Sequence, residues 1–157
     1  MRGNGYTRRG FSLLEVVIVV AIIAILAAIG IPRMSRGAKG ASDSALTGDL
    51  ATLRNAIDLY AAEHTGVFPT AASVNTQLTQ YTNVSGGVSA TKDTTHIYGP
   101  YMRSIPPLPV GAKKGSKTIA AADGNDVGWI YSATDGTIKA NTTDAEVDEA
   151  GTKYNTY

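Results

Sequence analysis

The segment GFSLLEVVIVVAIIAILAAIGIP, residues 10–32, is the most distinctive stretch of the chain. Every residue from 16 to 29 is Val, Ile, Leu or Ala, and the apolar character extends over residues 11–31. A helix of these 21 residues would span about 31 Å, close to the thickness of the hydrocarbon core of a bilayer. The residues before it include three arginines and no acid. Such a segment predicts either a membrane-spanning helix or the apolar region of a cleaved secretory signal peptide.

Glu15 places an ionisable side chain inside this apolar segment. Burial of a charged group in a bilayer costs about 2.5–3.5 kcal/mol, and least near the interface. Glu15 therefore needs a cation from a neighbouring chain, or it reaches the interface itself. Pro32 lacks a backbone donor, so the helix should kink or loosen where the apolar run ends. Three basic residues lie on each side of the segment, so charge alone leaves its orientation open.

The composition limits the remaining possibilities. The 157 residues fit one domain, and 14 basic against 13 acidic residues give a net charge of +1, so no nucleic-acid partner is predicted. The absence of Cys excludes disulfides, thiol catalysis and Cys-ligated metals. The sequence contains no nucleophile elbow, phosphate-binding glycine loop or paired histidines. We therefore predict that the chain is not an enzyme.

An amphipathic helix is predicted directly after Pro32, over residues 33–64. Its apolar positions are spaced by steps of four and three residues, so they share one face: Leu46, Leu50, Leu53, Ile57 and Tyr60. Gly66 and Pro69 should end the helix, with His64 contacting the last carbonyl groups rather than binding a metal. Residues 11–64 thus predict one long, bent helix, which is hard to reconcile with a signal peptide that ends within it.

The rest of the chain predicts a small sheet that packs on this helix. Residues 72–81 can form a short helix capped by Ser73, residues 83–95 resemble a surface loop, and residues 96–109 an extended segment rich in Pro. Three strands are predicted, with Asp135-Gly136 as the hairpin turn between the last two: residues 117–121, 127–133 and 137–141. The expected fold class is α+β, with an antiparallel sheet on the amphipathic half of the helix.

Gly10-Phe11-Ser12-Leu13-Leu14-Glu15, the apolar helix and Pro32 together resemble the class III signal of type IV prepilins and type II secretion pseudopilins. The resemblance implies that a prepilin peptidase removes the leader, residues 1–10, by cleavage between Gly10 and Phe11, and methylates the new amine of Phe11. Glu15 matches the acid at the fifth mature position of the family, and Pro32 matches the proline at the twenty-second.

The same resemblance implies a location and an architecture. Residues 11–31 would be a transmembrane helix and later the core of a filament. Residues 32–157 would form a pilin-like domain outside the cytoplasm. The protein would be a single-pass inner-membrane protein before assembly, and then part of a periplasmic pseudopilus or a cell-surface filament.

The implied function is that of a structural subunit. The chain would polymerise with copies of itself, assisted by an inner-membrane assembly platform and minor pseudopilins, into a type II secretion pseudopilus that drives protein export. A surface type IV pilin for adhesion, motility or DNA uptake is the alternative. The lack of Cys favours the pseudopilin, since many type IV pilins share a C-terminal disulfide loop. An exported or membrane-tethered binding module is a second alternative.

One loop has residues that suit a cation. Asp123, Asn125 and Asp126 surround Gly124 and offer hard oxygen ligands, which calcium prefers. Major pseudopilins, which the segments YGPYMRSIPPLPV and GWIYSATDGTIKAN also resemble, bind calcium near the end of their domain. The alternative is a tight Asx-type turn between strands. No other cofactor is predicted.

Overall fold

The computed structural model describes the backbone of residues 10–157 and the side chains of residues 10–29 and 37–157. The described residues divide into two compact units, the first ending at Ala38 and the second spanning Lys39–Tyr157. The helices are α1 (Leu13–Glu63), α2 (Val74–Thr79) and a short 3₁₀ helix (Tyr154–Thr156). The strands are β1 (Tyr81–Thr82), β2 (Val88–Ser89), β3 (Thr118–Ala120), β4 (Val127–Tyr131) and β5 (Ile138–Ala140).

Helix α1 extends without interruption over the region predicted as one long helix. It begins where the carbonyl oxygen of Ser12 accepts from the N–H groups of Glu15 and Val16, at 3.1 and 3.2 Å. The predicted leader, except for Gly10, lies outside the described residues, as does the side chain of Pro32.

Within the part of the chain that the structure describes, no helix is both long and apolar enough to cross a membrane. The predicted span over residues 11–31 stays a prediction.

The second unit has its core on the predicted face of α1. Five helix residues are at most 2% exposed: Leu46, Leu50, Leu53, Ile57 and Tyr60. They belong to one cluster with Trp129 and Tyr131, which alternate along β4 with the half-buried Ile130. The prediction that one face of the sheet packs on the amphipathic helix is confirmed.

The three-stranded sheet is mixed rather than purely antiparallel as predicted. Strand β4 pairs antiparallel with β5 but parallel with β3. A strand of three residues is only about 10 Å long, so the short segment 121–126 can return the chain to the start of a parallel neighbour. The β3–β4 register shifts between Thr118 and Ile119. Beside this irregularity, a Cβ on Gly128 would lie 2.3 Å from the Ser116 carbonyl oxygen, so the backbones are in contact.

The predicted hairpin turn at Asp135-Gly136 is confirmed. Gly136 has φ of +72°, a conformation that favours glycine. The Asp135 carboxylate accepts from the backbone N–H and the hydroxyl of Thr137, at 3.2 and 2.8 Å. This turn fixes the register of β4 and β5.

Helix α2 is shorter than predicted, and its first residues act differently. Ser73 lies at the N-cap but makes no side-chain capping bond. The Asn75 side chain instead bonds both backbone groups of Ile119, accepting from its N–H at 2.9 Å and donating to its carbonyl at 2.8 Å. It thereby satisfies the outer edge of β3, where an open strand would be able to pair with another chain.

The segment predicted as a loop, residues 83–95, contains β2. Strands β1 and β2 form a two-stranded antiparallel ribbon, and β1 is also bridged to Tyr98. The Asn83 carboxamide oxygen accepts from the N–H groups of Ser85 and Gly87, at 3.1 and 2.8 Å. An Asx turn, rather than alternation of apolar residues, therefore builds this ribbon.

Candidate functional site

The N-terminal part of α1 is a continuous apolar surface. Every Phe, Leu, Ile and Val between residues 11 and 29 is exposed, from 49% at Val19 to 84% at Phe11. Exposed apolar surface of this extent marks contact with a membrane or with other protein. In the described part of the first unit, this surface is the main candidate for function.

Glu15 lies within this surface. It lines a shallow depression together with Phe11, Val16, Val19 and Val20. Phe11 lies two residues before the start of α1 and Glu15 lies in its first turn, and both side chains line this depression. None of the ion pairs among the described residues includes Glu15. The roles of Glu15 and Pro32 in assembly, and those of Gly10 and Phe11 in processing, stay predictions.

His64 occupies the end of α1, as predicted. Its ring is 3% exposed, with Nδ1 2.8 Å from the Tyr60 carbonyl oxygen and Nε2 3.0 Å from that of Asn83. The ring stacks on Tyr60 with centroids 3.8 Å apart. His64 therefore joins the helix end to the residue after β1, and both ring nitrogens are engaged by backbone.

The loop predicted to bind calcium has a different arrangement. Asp123 Oδ1 accepts from the Lys113 ammonium and from Asn141 Nδ2, the latter at 2.9 Å. Asn125 and Asp126 are exposed, and Asp126 has φ of +63°. Among the described residues, no three His, Asp or Glu side chains are grouped so that they could hold a metal ion.

The calcium assignment to Asp123, Asn125 and Asp126 thus stays a prediction from sequence, and the donor set in the structure does not fit it. Calcium requires six to eight oxygen ligands around one point, whereas the Asp123 carboxylate faces two N–H donors. The sequence does not predict the contact of Lys113 with Asp123, because a lysine ten residues before an aspartate follows no recognised spacing.

Comparison with known proteins concerns the N-terminal segment. Residues 6–31 match the prokaryotic N-terminal methylation motif. No curated protein and no solved structure matches the chain. The match includes the Gly10-Phe11 junction, Glu15 and the exposed apolar part of α1. The motif covers 26 of the 157 residues, and with the long α1 and a small sheet later in the sequence the chain is similar to type IV pilin-like proteins.

Proposed function

We propose that the chain is a structural subunit of a helical filament whose core is formed by the N-terminal parts of α1. The observation that supports this most is the exposed apolar surface from Phe11 to Ile29, in the segment that matches the methylation motif. Before assembly, lipid of the inner membrane covers this surface. In the filament, identical helices replace the lipid at little cost, because both environments are apolar. Repeated contacts that do not close produce a fibre.

Processing prepares the N-terminus for this contact. A prepilin peptidase cleaves between Gly10 and Phe11 and methylates the amine of Phe11. The freed amine is a cation at the start of α1, and Glu15 is an acid in the same apolar surface. Pairing of Glu15 with the Phe11 amine of a neighbouring chain compensates the carboxylate for its removal from water.

A Glu15→Gln substitution tests the pairing. We expect the variant to be processed and to enter the membrane normally but to yield few or no filaments, since the amide has no charge. Asp58→Asn is the matched control, because Asp58 is an exposed acid in the amphipathic half of α1. Normal filament yield from Glu15→Gln would refute the charge pairing. If the chain were instead a binding module that uses α1 only as a membrane anchor, Glu15→Gln would leave both its localisation and its binding unchanged.

Of the two filament classes, we infer a type II secretion pseudopilus, assembled with an inner-membrane platform and minor pseudopilins. The absence of Cys supports this, since a C-terminal disulfide loop is common in surface pilins. A surface type IV pilus is the alternative.

Intact mass and N-terminal sequencing of sheared surface material and of washed membranes distinguish the classes. A chain that begins at methylated Phe11 and is confined to membranes supports the pseudopilus. The same chain in the sheared fraction indicates a surface pilus. A chain that begins near Ala28 would refute both and leave an exported soluble domain.

A further inference from the structure

Lys113 joins two separate segments of the second unit. Its side chain is 31% exposed, and its ammonium contacts Asp123 Oδ1 and lies 3.4 Å from the Gly124 carbonyl oxygen. A carboxylate oxygen and a backbone carbonyl oxygen are also the ligand types that a calcium ion takes from a loop. The Lys113 ammonium, with one positive charge, therefore occupies the position that the sequence predicts for a calcium ion, which has two.

Asn141 fixes the Asp123 carboxylate from the other side. It is 9% exposed, and its Nδ2 donates to Asp123 Oδ1 at 2.9 Å and to the Val127 carbonyl at 2.8 Å. Because both neighbours accept, the amide must present its N–H groups to them. A cation at Asp123 would meet these hydrogens and not the amide oxygen.

The charge of Lys113 also acts on a second acid. The pKa of Glu146 is lowered, first by the backbone N–H of Thr143 and, among further causes, by the positive charge of Lys113. The Glu146 carboxylate in turn accepts from the N–H of Ala112, the residue next to Lys113. Two acids therefore contact this turn: Asp123 accepts from the Lys113 ammonium, and Glu146 accepts from the N–H of Ala112.

We propose that the Lys113 ammonium is the resident cation of the loop 123–126, so that the second unit folds and holds this loop without a divalent cation. The lysine neutralises Asp123 and binds the Gly124 carbonyl oxygen, while Asn141 orients the carboxylate. This replaces the calcium dependence that resemblance to major pseudopilins implies, and it holds for either filament class.

Thermal unfolding of the full-length chain in detergent tests the proposal, with calcium in millimolar excess or with EGTA. We expect the wild type to have the same Tm in both conditions. Lys113→Met retains the length of the side chain and removes its charge, and should lower the Tm by about 2–4 °C in EGTA. Lys114→Met is the matched control, because Lys114 is exposed and lines the same depression as Lys113 and the loop 123–126.

Hydrogen exchange supplies a local measurement. In Lys113→Met, the amides of residues 123–128 should exchange faster than in the wild type, while those of Lys114→Met should not change. A calcium-dependent rise of several degrees in the wild-type Tm would overturn the proposal. So would identical behaviour of the two lysine variants in both experiments. Neither experiment requires filaments, so the result is independent of the proposed function.

Discussion

Gly128 is a single residue on which the mixed sheet depends. A Cβ there would lie 2.3 Å from the Ser116 carbonyl oxygen, which is backbone and cannot rotate away. Gly128→Ala should therefore push β4 away from the preceding segment and lower the free energy of unfolding by about 2–3 kcal/mol. Urea unfolding followed by fluorescence of Trp129, the only tryptophan of the chain, measures this change.

Gly48→Ala is the control with the opposite sign. Gly48 lies in the interior of α1, and a Cβ there would meet nothing within 4 Å. Alanine in a helix interior is more favourable than glycine by about 0.5–1 kcal/mol. Equal effects of the two substitutions would contradict the close backbone contact at Gly128.

The amphipathic half of α1 stabilises the second unit through one face, and two leucines on it allow a matched comparison. Leu50 is fully buried, while Leu59 is 51% exposed. Leu50→Ala should cost about 2–5 kcal/mol, since it removes buried methyl groups and leaves a cavity. Leu59→Ala should cost about 0.5 kcal/mol. Chemical unfolding of both variants checks this, and a similar cost for each would contradict the helix face described here.

The last segment of the chain is fastened to α1 by polar contacts. Asp43 accepts from the Tyr154 hydroxyl at 2.6 Å and from the backbone N–H of Glu149 at 3.3 Å. Asp43→Ala leaves both donors without this partner and should cost about 1–2 kcal/mol. Faster amide exchange confined to residues 146–157 is the expected signature. Asp58→Ala serves as control, and equal exchange in the two variants would show that Asp43 does not hold the segment.

How much of these elements the sequence predicts depends on the kind of signal. Steps of four and three from Leu46 to Tyr60 are sufficient for α1, because a long helix repeats its burial pattern several times. The Asp135-Gly136 turn is equally local. The parallel β3–β4 pairing and the β1–β2 ribbon are not predicted, because strands of two or three residues have no measurable period. The contacts of Asp43 and Lys113 join distant segments, and local spacing does not show them.

For the whole molecule, the exposed apolar surface and the buried apolar core lie in different units. The exposed apolar surface lies in the described part of the first unit. The second unit has its own buried core. Side-chain hydrogen bonds also satisfy polar groups at its edges, such as those from Asn75 to the backbone of β3 and those from Asn141 to the loop before β4. The proposed filament subunit requires this division, because one unit would bind copies of itself while the other completes its own core.

The ionisable groups of the second unit predict how its stability varies with pH. Burial raises the pKa of Tyr131 to about 12, and a hydrogen bond to Asp148 raises that of Tyr157 to about 12. Burial also raises the pKa of three further tyrosines: Tyr60, Tyr101 and Tyr154. Above about pH 10 the unfolded chain releases protons that the folded chain retains, so stability should fall as the pH rises toward 12.

Stability should also fall at low pH, for a different reason. Hydrogen bonds lower the pKa of four acids. The donor with the largest effect is Ser132 for Asp135, Lys153 for Asp144, Thr143 for Glu146 and Tyr157 for Asp148. The folded chain therefore binds fewer protons than the unfolded chain below about pH 4, and stability should fall as the pH decreases. Asp49, whose pKa burial raises, opposes this effect.

Urea unfolding between pH 2 and 12, combined with tyrosinate absorbance, checks both limbs of the predicted profile. We expect stability to decline at each end, and the five tyrosines with raised pKa values to titrate only as the protein unfolds at high pH. Tyr131→Phe removes a buried hydroxyl that donates to the Pro69 carbonyl at 2.9 Å, so it should lower stability at neutral pH and weaken the alkaline decline. Tyrosinate formation by these five tyrosines near pH 10 in the folded protein would show that their hydroxyls are not held by the fold.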